Sequence, residues 1–507
     1  MHSQRRHTKR PLHLLDGYRR GEFSDVAAAI DDEFDASGSL PGDLVNLRAR
    51  LYIKTDPPAG LQFLSRQSRS LKGAELAEAT MLTAVLYARS RDERLTELSF
   101  NKASAMIEKL RAPALQDELT YHRGLWLWTN HRLQEAEELA VHLRSSSVKG
   151  VRARAKVLES VIASVRERYF EQAALSLEAY RLAMEDDDVE MQAYTTRNLA
   201  TLARELPMPQ LRDVAKGAVE RVPWTRDLRE EQFKALKAAG WCCALDGDYL
   251  NAFRLLKAAS AVAPSDHWRV MAALDRAYLA RCLGEPRWSE QELLEANMLA
   301  RSLDWRGRTS EEHVALVLLA ELYAEIDGAL SLAYLARFRE LGPVVKPTEA
   351  FAHDRRLGAL ADHSTGVVHA RLGDTQAAIA NLEAAWEVLS TVHYDWRAGR
   401  TAIELYKLTK KSIWNERAQE KLAGYPLSWL AGQVVTTEPR SGLSKLSPAQ
   451  RRVFEMLIAG RSTGDVAAAL GRSVFTVRNH IRAIFLAFDV KSRAALVAEA
   501  ARLKLIA

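Results

Sequence analysis

Residues 240–264 read GWCCALDGDYLNAFRLLKAASAVAP, and residues 366–389 read GVVHARLGDTQAAIANLEAAWEVL. The two stretches share one skeleton. Gly240 and Gly366 open them, Gly247 and Gly373 follow at the same distance, and an aspartate comes next. Ala252, Leu256 and Ala259 then align with Ala378, Leu382 and Ala385. Apolar residues at three- and four-residue spacing on both sides of the Gly-Asp pair predict two amphipathic helices joined by a tight turn. Small residues where the helices cross let the backbones approach closely. A helix pair of this kind cannot bury its apolar face alone and must stack on further copies of itself.

This spacing resembles the tetratricopeptide repeat (TPR), a helix–turn–helix unit of about 34 residues. Fainter copies carry Gly124 with Ala136, Ala173 with Leu177, Gly284 with Leu293, and Gly21 with Ile30. The small anchor positions fall at Val26, Ala59, Ala136, Ala173, Ala252, Ser289 and Ala378. The resemblance implies one all-α body, an α-solenoid of roughly ten helix pairs over residues 11–432. It also implies a concave groove that takes a peptide, protein or small-molecule effector, with Trp126, Trp128 and Trp241 as the aromatic candidates to line it.

Composition agrees with a helical, globular chain. Of 507 residues, 48% are hydrophobic and 27% charged, with only 25 Gly and 15 Pro; residues of high helix propensity dominate. Length alone suggests about three domains, and the repeats override that expectation. Three cysteines, Cys242 and Cys243 adjacent, supply no disulfide framework. No run approaches the roughly 18 apolar residues of a membrane span, and the basic start at residues 1–10 leads into no apolar segment. The expected location is the bacterial cytoplasm, at the nucleoid when DNA-bound.

The net charge of +6 is unevenly placed. From Arg440 to Ala507 there are 12 Lys and Arg against 4 Asp and Glu, so the rest of the chain is slightly acidic. A basic end on an acidic body is the asymmetry of a chain that meets nucleic acid with one end. Residues 424–445 carry Pro426, Pro439 and several Gly, Ser and Thr with few charges, and within them 433–445 reads as a linker.

Residues 446–507 then give four short helices with explicit boundaries. Ser447-Pro448-Ala449-Gln450 is a capping box with proline at the first helical position, and the helix stops at Gly460. Ser462 caps a second helix that ends at Gly471. Ser473 caps a third, with Val474, Val477, Ile481, Ile484 and Phe488 on its apolar side, and a fourth starts near Ser492. Two short helices around a glycine turn make a helix-turn-helix whose later helix enters the major groove. Thr476, Arg478, Asn479 and Arg482 are expected to face the bases, because Arg grips guanine and Asn grips adenine through paired hydrogen bonds. Ser447, Ser473, His480, Lys491 and Arg493 are expected to face phosphates.

The run LSPAQRRVFEMLIAGRSTGDVAAALGRSVFTVRNHIRAIFLAFDVKSRAALV resembles the LuxR-type helix-turn-helix almost position by position. That resemblance implies double-stranded DNA as a partner, base contacts at Arg478 and Arg482, and pairing of two such domains through the fourth helix. Two departures stand out: Gln450 replaces the family's usual acid, and Thr463-Gly464 replaces its Asn-Lys. No phosphate-binding G-x-x-x-x-G-K-[ST], phosphoacceptor domain or catalytic constellation is present, so neither an enzyme nor a cofactor is expected. His353, Asp362, His363 and His369 do not share a helix face and are not taken as a metal site. The primary reading is a sequence-specific transcription regulator with a sensing or docking body that acts as a homodimer. The competing one is an interaction scaffold whose C-terminal module reads no DNA.

Overall fold

The computed structural model describes residues 9–146, 148, 150–305, 310–341, 350–434, 443, 446–488 and 490–502. All regular structure among them is helical, in 26 α-helices and two short 3-10 turns. None of these helices is long and apolar enough to cross a membrane. Arg5, Arg6 and the rest of residues 1–8, most of residues 435–445, and Leu503 onward lie outside the described residues. The first helix opens at Lys9.

The fold is a TPR-like α-solenoid followed by a small four-helix domain. Successive body helices pack as pairs, from Lys9–Arg19 with Phe23–Ser37 to Asp395–Thr409 with Ser412–Leu422, eleven pairs in all among the described residues. The shared skeleton has a local cause. Gly247 and Gly373 adopt φ of +76° and +85°, where a side chain is strained. Asp248 and Asp374 then accept the backbone N–H of Asn251 and Ala377 as helix N-caps. A Cβ on Gly240 would stand 3.0 Å from Leu256 Cγ, and one on Gly366 would stand 2.6 Å from Leu382 Cγ. The small positions are therefore helix-crossing points. Ala136, Ala173, Ala252 and Ala378 are buried as expected, but at the second pair the crossing residue is Gly60, not Ala59. Asp56 caps that helix one residue later than the spacing implied.

The acidic run Glu185–Asp188 ends one helix and caps the next: Glu185 closes the helix Tyr169–Glu185, Asp186 accepts from Gly150 N–H, and Asp188 accepts from Met191 N–H.

An open solenoid repeat touches only its neighbours. This body does more. Ser24 bonds Asp227 and Thr225 bonds the Gly21 carbonyl, while Arg355 reaches Glu167 at 3.3 Å. Arg397 and the Trp396 indole bond the Glu205 carboxylate, and Tyr425 donates to the Glu205 carbonyl. Arg212, 1% exposed, donates to the Gly424 carbonyl and pairs with Asp246 at 2.7 Å. The end of the body thus lies back along its middle, and Trp241, Trp396 and Trp429 form one aromatic cluster at that seam.

Candidate nucleic-acid interface

The C-terminal domain has its own core of Leu446, Val453, Phe454, Leu457, Val466, Ala467, Val477, Ile484, Phe488, Leu496 and Ala500. Phe454 and Phe488 stack at 4.9 Å and fix the first helix against the third. Its helices span Pro448–Ile458, Thr463–Ala469, Val474–Ala487 and Arg493–Arg502. Both capping boxes form: Ser447 with Gln450, and Ser462 with Asp465. The substituted Gln450 does the work of the family's acid. Hydrogen bonds from the Ser462 hydroxyl and backbone hold the Asp465 carboxyl below the usual carboxylate range.

On the third helix, Arg478, Asn479 and Arg482 are exposed and share one face. Thr476 is not with them. Its backbone N–H donates to Ser473 Oγ, its hydroxyl lies 2.8 Å from the same oxygen, and the residue is half-buried. Helix capping competes for Thr476 and wins.

The expected phosphate-facing residues also divide. Lys491 and Ser473 are exposed, while His480 and Ser447 are half-buried. Ser447 spends its N–H and its oxygen on Gln450. Arg493 is half-buried and donates to the Leu457 carbonyl at 2.6 Å. It satisfies a carbonyl at the end of the first helix, so its primary role here is to join the first and fourth helices.

Sequence reading missed two exposed apolar residues on the same face of the third helix, Phe475 at 73% and Leu486 at 77% exposure. A shallow depression is lined by Phe475, Arg478, Asn479, Ile481, Arg482 and Phe485. The signal was available: 475, 478, 479 and 482 follow the i, i+3, i+4, i+7 rule of one helix face. Val474, expected on the apolar side, is 43% exposed because it stands in the first turn, ahead of the packed segment. Arg452, Arg461 and Arg472 add exposed charge to the domain.

In the body, the aromatic candidates for the groove are not brought together. Trp126 is 6% exposed and packs on Phe100 in the N-terminal core. Trp128 is half-buried beside it, its indole N–H enclosed. Trp241 is 5% exposed, stacks on Trp396 at 5.8 Å, and donates to Asp275. The chain's own return fills the space that Trp241 was expected to line.

Polar residues of the interior are likewise engaged with each other. Arg50 pairs with Glu78 and Glu118, and Arg400 with Glu321. His363 Nδ1 lies 2.8 Å from Thr401 Oγ1, and burial with the Arg400 and Arg397 charges keeps that ring well below the usual histidine range. His369 stands 3.6 Å from Asp374; the side chain of His353 lies outside the described residues. Burial raises the Cys243 and Cys282 thiols to about 12, the behaviour of core residues.

The geometry defines a helical-repeat body joined to a compact helix-turn-helix domain with a cationic, outward-facing third helix. Residues 444–500 match the family described as "Bacterial regulatory proteins, luxR family", so the C-terminal domain is of the LuxR type. No curated protein matches the chain as a relative. Solved structures similar to it include the APC/C hetero-tetramer Cut9–Hcn1, at 13% identity over 96% of this chain and 95% of that one, TM-score 0.37. Another is a Rap protein complexed with Competence and Sporulation Factor, at 12% identity over 84% of this chain and 98% of that one, TM-score 0.30.

Proposed function

We propose that the protein is a sequence-specific, DNA-binding transcription regulator whose repeat body senses an effector or docks a partner. The observation that carries this reading is the exposed Arg478–Asn479–Arg482 face on the third helix of a LuxR-type domain. Arg478 and Arg482 are the donors for guanine O6/N7, and Asn479 is the donor–acceptor pair for adenine. Lys491, Ser473 and the exposed arginines supply phosphate contacts, which set affinity and salt dependence. The working division is residues 11–432 as body, 433–445 as linker and 446–507 as reader. Two readers act together on half-sites about one helical turn apart, meeting through the exposed Ala494 and Ala498 side of the fourth helix. The body takes a peptide, protein or small molecule, and the whole acts in the cytoplasm.

Selection from a random duplex pool with the purified full chain tests the reading. Wild type enriches a motif, whereas Arg478→Ala and Arg482→Ala each relax one position by about 1–3 kcal/mol. Enrichment of no motif, or of the same motif equally by both variants, refutes it in favour of the scaffold.

A further inference from the structure

The DNA reading leaves one feature of the third helix unused. Phe475 stands in the first turn of Val474–Ala487 and is 73% exposed, although the domain core lies on the opposite side of the same helix. It is one turn before Arg478 and Asn479, on their face, and with them lines the depression that also holds Ile481, Arg482 and Phe485. The surface is therefore mixed, with guanidinium and amide groups set between apolar ones.

The major groove offers such a surface one kind of apolar partner. Base edges there present hydrogen-bond donors and acceptors, and the pyrimidine C5-methyl group of thymine is the apolar element among them. The first turn of a recognition helix is also the part that meets base edges. Asn479 selects adenine, and each adenine brings a thymine methyl into the same groove. Phe475, at i relative to Asn479 at i+4, stands within one turn of that pair. The exposed Arg472, Arg478 and Arg482 near it give the surface the charge that fits a polyanion.

We propose that Phe475 is a specificity-determining residue that reads a thymine C5-methyl group beside the base pair held by Asn479. This rests on the DNA reading above. Leu486, also exposed, lies 11 residues further along, about 16 Å at helical rise, and belongs to different base pairs or to none.

The test uses the full chain and the duplex that wild type selects, with each thymine replaced in turn by deoxyuridine. That change removes the methyl and keeps every hydrogen bond. One position weakens wild-type binding about fourfold, the factor that burying a methyl-sized group supplies. Phe475→Ser binds thymine and deoxyuridine equally there while keeping the preferences set by Arg478 and Arg482. Phe475→Leu retains part of the discrimination, and Leu486→Ser retains all of it. A parallel arm with 5-methylcytosine separates thymine from a methylated cytosine, and dependence on the latter alone overturns the assignment. So does wild-type indifference to deoxyuridine at every position. Full discrimination by Phe475→Ser overturns it too, as does a Phe475→Ser effect confined to the sedimentation of the free chain. A wild type that selects no motif sinks the DNA reading itself, while selection without methyl discrimination sinks only this assignment.

Discussion

Replacing Glu205 by glutamine tests the seam that closes the repeat body. The residue is 3% exposed. Its carboxylate meets Arg204 at 2.6 Å and Arg397 at 3.1 Å, and accepts the Trp396 indole N–H. Burial pushes the carboxyl up, but the Arg204 and Arg397 charges outweigh it and hold the group at about 2, against an ordinary 4.5. The unfolded chain therefore takes up the proton first on acidification. Stability from this group is complete above its ordinary range and is lost as pH falls toward 2. The shift corresponds to about 3 kcal/mol at neutral pH. Removing one partner of a buried pair costs a similar 3–5 kcal/mol. Glu205→Gln keeps the shape and an acceptor for Trp396, so the expected loss is about 3 kcal/mol in urea unfolding followed by tryptophan fluorescence. Lowering the pH to about 3.5 narrows the gap between wild type and variant by about 1 kcal/mol. A gap below about 1 kcal/mol at neutral pH, or one that does not narrow with acid, refutes the reasoning.

Two glycines on one helix should respond with opposite sign. Gly366→Ala drives a Cβ to 2.6 Å from Leu382 and should cost about 1–3 kcal/mol. Gly358→Ala meets nothing within 4 Å and should gain a few tenths to about 1 kcal/mol; thermal or urea melts of both report the contrast. In the DNA-binding domain, Lys491→Ala should leave the melt unchanged and reduce the salt slope of DNA binding by about one ion. Arg493→Ala should instead destabilise the domain by about 1.5–3 kcal/mol, the worth of a hydrogen bond made by a charged group. If Arg493→Ala leaves the domain's melt unchanged, its bond to Leu457 is not structural.

The fold was legible where the turns were written in glycine. At Gly247 and Gly373 the left-handed turn and the following Asp cap appear in the letters. Gly21 and Gly284 repeat that left-handed turn, but in other fainter repeats the same position holds Arg91, His131 and Glu167. Tertiary packing imposes the turn there, and a search for glycine passes over it. The capping serines and the exposed Arg478, Asn479 and Arg482 were also readable, because helix period and cap chemistry are local. What was not readable depends on partners distant in sequence. Trp241 is an ordinary aromatic on an amphipathic helix until Trp396 and Trp429 arrive on it. Arg493 looks like a phosphate ligand until the Leu457 carbonyl claims it. Phe475 was hidden for a different reason: an apolar residue in a helix is assumed to be core, and this one points the other way.

The seam also bears on how such a body can change length. Open repeat arrays gain or lose whole units freely, since each unit answers only to its neighbours. Here Trp396 must meet Glu205 across 191 residues, and Arg212 must meet Gly424 across 212. Adding one repeat of about 34 residues between Tyr249 and Arg355 would carry Arg397 past its carboxylate and set another helix against Trp241. The repeat count is thus a fixed dimension of this protein, gauged by which side chains must arrive together.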